Sequence, residues 1–270
     1  MDNRPIGVFD SGLGGLTAAR ELMRLLPSED IVYFGDTARV PYGGRSPETI
    51  LKFARQDMNF LCSFDLKAVV IACGTVSTTS LATLRQEYGL PIIGVVEPTA
   101  LAAARRTRNN KIGLIATAAS IHSGAYEKAV AQEKPEAAVF GKACPLFVPL
   151  VENGRFSVGD PVIETVAGEY LQCMKDEGVD TLMLGCTHYP LLSDVIAKIM
   201  GPGVTLINSG LEAARSLQTL LEQRGALAGP GPGDASYFVS DTVDGFEQTA
   251  GLFLRSDLKG MVQQINIEKY

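Results

Sequence analysis

Lys67-Ala68-Val69-Val70-Ile71-Ala72-Cys73-Gly74-Thr75 is the stretch on which the fold turns. Five consecutive apolar residues follow the lysine, and three of them are β-branched. Such a run predicts a strand buried on both faces, the kind found in parallel sheets covered by helices. It ends in a cysteine, a glycine and a hydroxyl residue. Asp180-Thr181-Leu182-Met183-Leu184-Gly185-Cys186-Thr187-His188 repeats the plan: a buried strand, a cysteine, then a small hydroxyl residue. A second pair lies upstream of these. Ile6-Gly7-Val8-Phe9-Asp10-Ser11 resembles Ile112-Gly113-Leu114-Ile115-Ala116-Thr117, each a strand ending in a small polar turn. Chance similarity between α/β units accounts for either pair alone. Two pairs in the same order and at similar spacing favour a duplicated architecture.

Working outward, further strands are expected at Ile31–Gly35, Ile92–Val96, Ala138–Phe140 and Thr205–Ile207. Helical periodicity marks Leu16–Leu26, Pro47–Phe64, Thr79–Tyr88, Pro98–Arg108, Gly124–Glu133, Pro161–Glu177 and Tyr189–Met200. This alternation predicts an α/β fold of two similar doubly wound domains with mainly parallel sheets. A pseudo-two-fold duplication relates them, with the active site in the cleft between. Residues 1–97 together with 211–270 are expected to form the domain carrying Cys73, and 98–210 the domain carrying Cys186. Ala228-Gly229-Pro230-Gly231-Pro232-Gly233 reads as a surface loop or hinge. One more strand, Ser236–Ser240, and a terminal helix, Val243–Arg255, are expected to pack back on the first domain.

With 270 residues and a net charge of −6, the chain lacks the clustered basic excess of a general nucleic-acid binder. Arg105, Arg106, Arg108 and Lys111 read as a solvated helix end. No apolar run approaches the ~18 residues of a membrane span. Met1-Asp2-Asn3-Arg4-Pro5 lacks the basic and apolar regions of a signal peptide, so a cytoplasmic, reducing location is expected. The 5 cysteines are odd in number and contain no C-x-x-C pair, which disfavours a disulfide framework or a zinc ribbon. A cysteine with a chemical task here works as a thiol.

Ligands of open α/β sheets gather at the carboxyl ends of the strands. Asp10-Ser11-Gly12-Leu13-Gly14-Gly15, Cys73-Gly74-Thr75, Thr117 to Ser120 and Cys186-Thr187-His188-Tyr189 all fall at such ends. A cysteine just before a helix is exposed to the helix dipole, which favours the reactive thiolate. A single cysteine there is as well read as a small buried hydrophobe. Two in equivalent positions carry more weight. Cys62 and Cys173 read as helix packing, and Cys144 as structural. The glycine turn does not match G-x-G-x-x-G, but it offers N–H groups to a carboxylate. His188, two residues from Cys186, can relay a proton; Asp10 is its counterpart on the Cys73 side. Asp36 and Glu152 also close apolar runs, and either could equally be a cap or a surface carboxylate.

Several long motifs resemble the glutamate racemases, within the aspartate/glutamate racemase superfamily. They are Ile6-Gly7-Val8-Phe9-Asp10-Ser11-Gly12 with Gly14-Gly15-Leu16-Thr17, and Tyr33-Phe34-Gly35-Asp36-Thr37-Ala38-Arg39-Val40-Pro41-Tyr42-Gly43. Ala143-Cys144-Pro145-Leu146-Phe147-Val148-Pro149-Leu150-Val151-Glu152 and Leu184-Gly185-Cys186-Thr187-His188-Tyr189-Pro190-Leu191-Leu192 complete the set. The resemblance implies interconversion of L- and D-glutamate without pyridoxal phosphate or metal, supplying D-glutamate for peptidoglycan. It implies that Cys73 takes the α-proton from D-glutamate and Cys186 from L-glutamate. Asp10 would assist the first thiol, with Glu152 and His188 near the second. The implied substrate contacts are Asp10, Ser11, Pro41, Tyr42, Gly43, Gly74, Thr75, Thr117, Thr187 and His188, with Ser120 where a threonine is usual.

One departure stands out. Where the family has Cys-Asn-Thr, this chain has Cys73-Gly74-Thr75. Loss of one hydrogen bond to a charged substrate costs about 1.5–3 kcal/mol, so Gly74→Asn is expected to tighten binding. Three readings remain: a glutamate racemase, a relative acting on aspartate or another small acid, and a non-catalytic ligand-binding protein. The expected partner is a small-molecule substrate, with no cofactor, no metal, no nucleic acid and no membrane. A homodimer is compatible with these patterns but not required by them.

Overall fold

The computed structural model describes residues 1–254, 258 and 260–270. Ten strands form in chain order: β1 Ile6–Asp10, β2 Ile31–Gly35, β3 Ala68–Ile71, β4 Ile92–Gly94 and β5 Lys111–Ala116, then β6 Ala138–Ala143, β7 Thr181–Leu184, β8 Thr205–Asn208, β9 Ala235–Val239 and β10 Val262–Gln264. They make a six-stranded sheet ordered β10-β9-β2-β1-β3-β4 and a four-stranded sheet ordered β6-β5-β7-β8. Every pairing in both is parallel. The fold is α/β.

The winding repeats. β2-β1-β3-β4 in the first sheet has the order of β6-β5-β7-β8 in the second, so β1 answers to β5 and β3 to β7. The two strands that carry the chain toward Cys73 and Cys186 are therefore topological equivalents. β1, β2, β3 and β7 are buried along their whole length, as their unbroken apolar runs require. Helices cover them, and each large aliphatic side chain removed from water contributes about 1.5–3 kcal/mol. The helix Val96–Arg106 leads from the first sheet to the second, and the helix Ser209–Arg224 leads back. The two crossing helices pack on each other. β9 and β10 then extend the first sheet beyond β2.

Several boundaries differ from the periodicity. β4 stops at Gly94 because a helix begins at Val96, earlier than the expected Pro98. β6 runs on to Ala143 as a half-exposed edge strand, and Gly141-Lys142 conceals its length. The helix from Pro47 ends at Leu61, with Cys62 as its C-cap. The segment Tyr189–Met200 is a 3-10 turn, Tyr189–Leu192, followed by an α-helix, Ser193–Met200. Pro190 has no N–H to donate at its start. The helix Ser209–Arg224 was not signalled by periodicity; the Asn208 side chain caps it by accepting from the Gly210 and Leu211 N–H groups. The terminal helix is Val243–Leu254; Arg255, expected as its last residue, lies outside the described residues. Cys62 and Cys173 are exposed, which overturns the reading of both as packing residues. No helix among the described residues is long and apolar enough to cross a membrane.

Candidate active site

The carboxyl ends of the two sheets meet at one cavity of about 460 Å³. The loops after β1, β2 and β3 supply Asp10 to Gly12, Val40 to Gly44 and Cys73 to Thr75. From the second sheet come Thr117, Cys144, Glu152 and the run Gly185 to Tyr189. A larger groove of about 750 Å³ lies along the outer faces of the helices Val96–Arg106 and Ser209–Arg224, and no thiol lines it. The smaller cavity holds the reactive groups, so it is the candidate site.

Cys73 caps the helix Gly74–Thr79 and is almost fully buried. Its Sγ lies 3.5 Å from Ser11 Oγ, which can accept the thiol hydrogen. Burial, then the charge of Asp10, pushes the Cys73 thiol up to about 12, against the lowering contact with Ser11. Asp10 is itself buried at the end of β1, and Gly12 N–H donates to its Oδ2 at 3.0 Å. Burial raises the Asp10 carboxyl, opposed by the charge of His188 and by the Gly15 and Gly12 N–H groups.

Cys186 follows β7 and is buried too. Its Sγ is 3.9 Å from His188 Nδ1, and His188 Nε2 is 2.8 Å from Glu152 Oε1. Burial disfavours charge on His188, but the contacts with Cys186 and Glu152 outweigh it and carry the imidazole up to about 10. These contacts favour the protonated imidazole, which stands between the Cys186 sulfur and the Glu152 carboxylate. The two sides are unlike: a carboxyl group stands by one thiol, an imidazolium by the other. Thr187 joins them, its hydroxyl donating to Asp10 Oδ1 at 3.5 Å. Thr75 and Thr117, from opposite sheets, have their hydroxyl oxygens 3.3 Å apart.

Two expected positions, Ser120 and Asp36, need correction, and Tyr42 is narrowed to part of its side chain and backbone. Ser120 does not line the cavity; the short helix Ala118–His122 turns it inward, where Thr117 donates to it at 3.1 Å. Tyr42 borders the cavity, but its hydroxyl is held behind the loop by Asp36 and by Asp57, the latter at 3.0 Å. A substrate can therefore be met only by the rest of Tyr42. Asp36 is neither a simple cap nor a cavity residue. It is buried and accepts from Arg39 Nε at 2.6 Å and Ser240 Oγ at 2.8 Å, as well as from Tyr42.

Ser11, Pro41, Gly43, Gly74, Thr75, Thr117, Thr187 and His188 all line the cavity. Cys144 does as well: its thiol, pushed up to about 12 by burial, makes a neutral part of the wall beside Pro145. Sequence reasoning missed Arg39 and Asp57, which brace the Pro41–Gly43 turn from behind. It also missed the packing role of Thr17, whose hydroxyl donates to the Thr187 carbonyl at 2.8 Å. Among the described residues no three His, Cys, Asp or Glu side chains converge as a metal site.

Two like α/β lobes, each bringing a thiol to a shared cavity from the same strand end, define the two-domain racemase fold. Residues 16–217 match the Asp/Glu/Hydantoin racemase family, and the chain belongs to that family. It is 45% identical over 270 residues to a glutamate racemase from Geobacter metallireducens, covering 99% of this chain and 98% of the relative. Among solved structures, a glutamate racemase isoform from Bacillus anthracis superposes with a TM-score of 0.93 at 39% identity, over 98% of both chains. The glutamate racemase from Francisella tularensis in complex with D-glutamate gives 0.91 at 38% identity, over 100% of both.

Proposed function

We propose that this protein interconverts L- and D-glutamate by a two-base mechanism that needs no organic cofactor, with Cys73 and Cys186 as the bases. One observation supports the reading above the others: two buried thiols, at equivalent strand ends of two like sheets, border one small cavity. Racemisation requires a base on one face of Cα and an acid on the other. One thiolate and one thiol meet that requirement, and exchange roles with direction.

The form of the enzyme that meets L-glutamate holds Cys186 as the thiolate and Cys73 as the thiol, a protonation that burial and the Asp10 charge favour at Cys73. From L-glutamate, the Cys186 thiolate takes the α-proton. The Cα–H bond breaks, an S–H bond forms, and the electron pair passes toward the substrate carboxylate. Cys73 then gives its proton to the opposite face, its S–H bond breaking as the new Cα–H bond forms. From D-glutamate the steps reverse. The α-proton is a far weaker acid than a thiol of ordinary pKa ~8.5, so the carbanion-like state needs fixed donors. The hydroxyls of Ser11, Thr75, Thr117 and Thr187 and the N–H groups around Gly43 and Gly74 are the candidates.

In this reading residues 1–97 with 211–270 act as one domain and 98–210 as the other. The membership of the two sheets supports that division. The product is D-glutamate for peptidoglycan synthesis, made in the cytoplasm. The test is a racemisation assay on L-glutamate with no cofactor added, run beside L-aspartate. Loss of optical activity with glutamate is expected. A preference for aspartate overturns the substrate, and absence of any α-proton exchange into deuterated water overturns catalysis in favour of ligand binding.

A further inference from the structure

The turn that follows β7 leaves one of its carbonyls without a donor of its own. In such a turn each carbonyl accepts from the N–H three residues further on. Tyr189 N–H donates to the Cys186 carbonyl at 3.1 Å, and Leu191 N–H to the His188 carbonyl at 3.2 Å. The Thr187 carbonyl lies between these two, and its partner three residues on is Pro190, which has no N–H. Thr187 is buried, and a buried carbonyl needs a donor.

The donor comes from the other sheet. Thr17 is the second residue of the helix Leu16–Leu25, which follows β1, and its hydroxyl donates to the Thr187 carbonyl at 2.8 Å. Among the described residues nothing else donates to that oxygen. The same hydroxyl lies 2.9 Å from the Gly14 carbonyl, within its own turn. Gly14 does not depend on it, because Thr17 N–H already donates to that carbonyl at 3.0 Å. The two segments are in close contact here: a Cβ on Gly14 would collide with the Thr187 hydroxyl and the His188 ring.

We propose that Thr17 is a positioning residue: its hydroxyl replaces the N–H that Pro190 lacks, and by holding the Thr187 carbonyl it sets where Cys186 and His188 stand against the first sheet. The proposal rests on the two-thiol reading above. Thr187 joins Cys186 to His188 in the chain. Its peptide unit is planar, so holding the oxygen also fixes the N–H and Cα of His188 at the other end.

A displaced Cys186 has an uneven signature. From D-glutamate, Cys73 still removes the α-proton, but Cys186 fails to deliver one to the opposite face. Cys73 exchanges its hydrogen for solvent deuterium and returns it to the face it came from, so D-glutamate gains deuterium without changing hand. From L-glutamate the displaced thiol is itself the base, and exchange slows together with inversion.

The experiment compares the parent protein with Thr17→Val, which keeps the branched shape without the hydroxyl, and Thr17→Ser, which keeps the hydroxyl. Each is assayed in deuterated water from both enantiomers, beside its thermal transition. In Thr17→Val inversion is expected to slow by roughly ten- to a hundredfold, as for a misplacement of up to about an ångström, with kcat changing more than KM. Deuterium in unconverted D-glutamate, per inversion, should rise, while the same ratio for L-glutamate should not. Thr17→Ser should recover most of the loss. An unchanged inversion rate in Thr17→Val overturns the proposal. So does a Thr17→Ser variant as slow as Thr17→Val, which would assign the effect to packing of the methyl group. A parallel fall of exchange and inversion from both enantiomers also overturns it, as does loss of the cooperative thermal transition, which would make the hydroxyl a determinant of folding. A parent protein that does not racemise glutamate refutes the two-thiol reading instead, so the two failures are distinct.

Discussion

His188 Nε2 lies 2.8 Å from Glu152 Oε1, although one residue follows β7 and the other ends the short helix Phe147–Glu152. The pairing fixes the imidazole with its Nδ1 toward Cys186 and helps hold it as a cation.

Replacing Glu152 by Gln removes a charge that raises His188. The His188 pKa should fall from about 10 toward its ordinary value of 6.5, and L-to-D turnover should weaken at lower pH than in the parent. The sign is fixed by linkage: a raised His pKa gives stability that is full below 6.5 and is lost as pH rises through about 10. Nuclear magnetic resonance can follow the titration directly, since the chain has 2 histidines. A His188 titration unchanged by Glu152→Gln would contradict the assignment.

Cys73→Ala and Cys186→Ala should each abolish racemisation, because neither face of Cα can be served twice. Each variant should nevertheless retain slow α-proton exchange from the enantiomer whose base survives. Near-normal turnover in either one would rule out a two-base mechanism.

Asp10→Asn removes the neighbouring charge that, after burial, raises Cys73. The Cys73 thiolate should then form at lower pH, seen in the ultraviolet absorbance of thiolates and in alkylation rates. Turnover should fall by about 10²–10⁴ if Asp10 also moves the proton at Cys73, the usual size of general acid–base assistance. A shifted thiol titration with unchanged turnover would limit Asp10 to electrostatics.

Tyr42→Phe leaves Asp36 and Asp57 without their shared hydroxyl donor. Burial, then the Asp36 charge, already holds the Asp57 carboxyl well above the usual range. Loss of the donor should cost about 1–3 kcal/mol of stability in urea denaturation. KM should rise as the Pro41–Gly43 turn loosens. Unchanged stability would show that the two carboxyl groups satisfy each other unaided.

The sequence pattern gave away the strands that matter most because β1, β3, β5 and β7 are apolar on both faces, and only buried parallel strands need that. The duplication was visible for the same reason: two such strands in each half end in small polar residues. β6 was underestimated because an edge strand has no need to be apolar throughout. The helix after Asn208 was hidden because Asn208-Ser209-Gly210 has the chemistry of a turn as much as of a cap. At the site, Cys73, Cys186, His188 and Asp10 could be picked out because strand ends are where such sheets place ligands. Arg39 and Asp57 could not, since their ion pair joins a loop to a helix through tertiary packing alone. Ser120 and Thr117 stand three apart, and only helix geometry decides which of them faces the cavity.

The unlike partners of the two thiols have a thermodynamic limit. Enantiomers in water have equal free energy, and both directions of racemisation share one transition state. kcat/KM must therefore be the same for L- and D-glutamate at every pH, however differently Asp10 and His188 titrate. The asymmetry of this site can appear only in how that common ratio divides between kcat and KM, so a mutation on either side acts on both enantiomers at once.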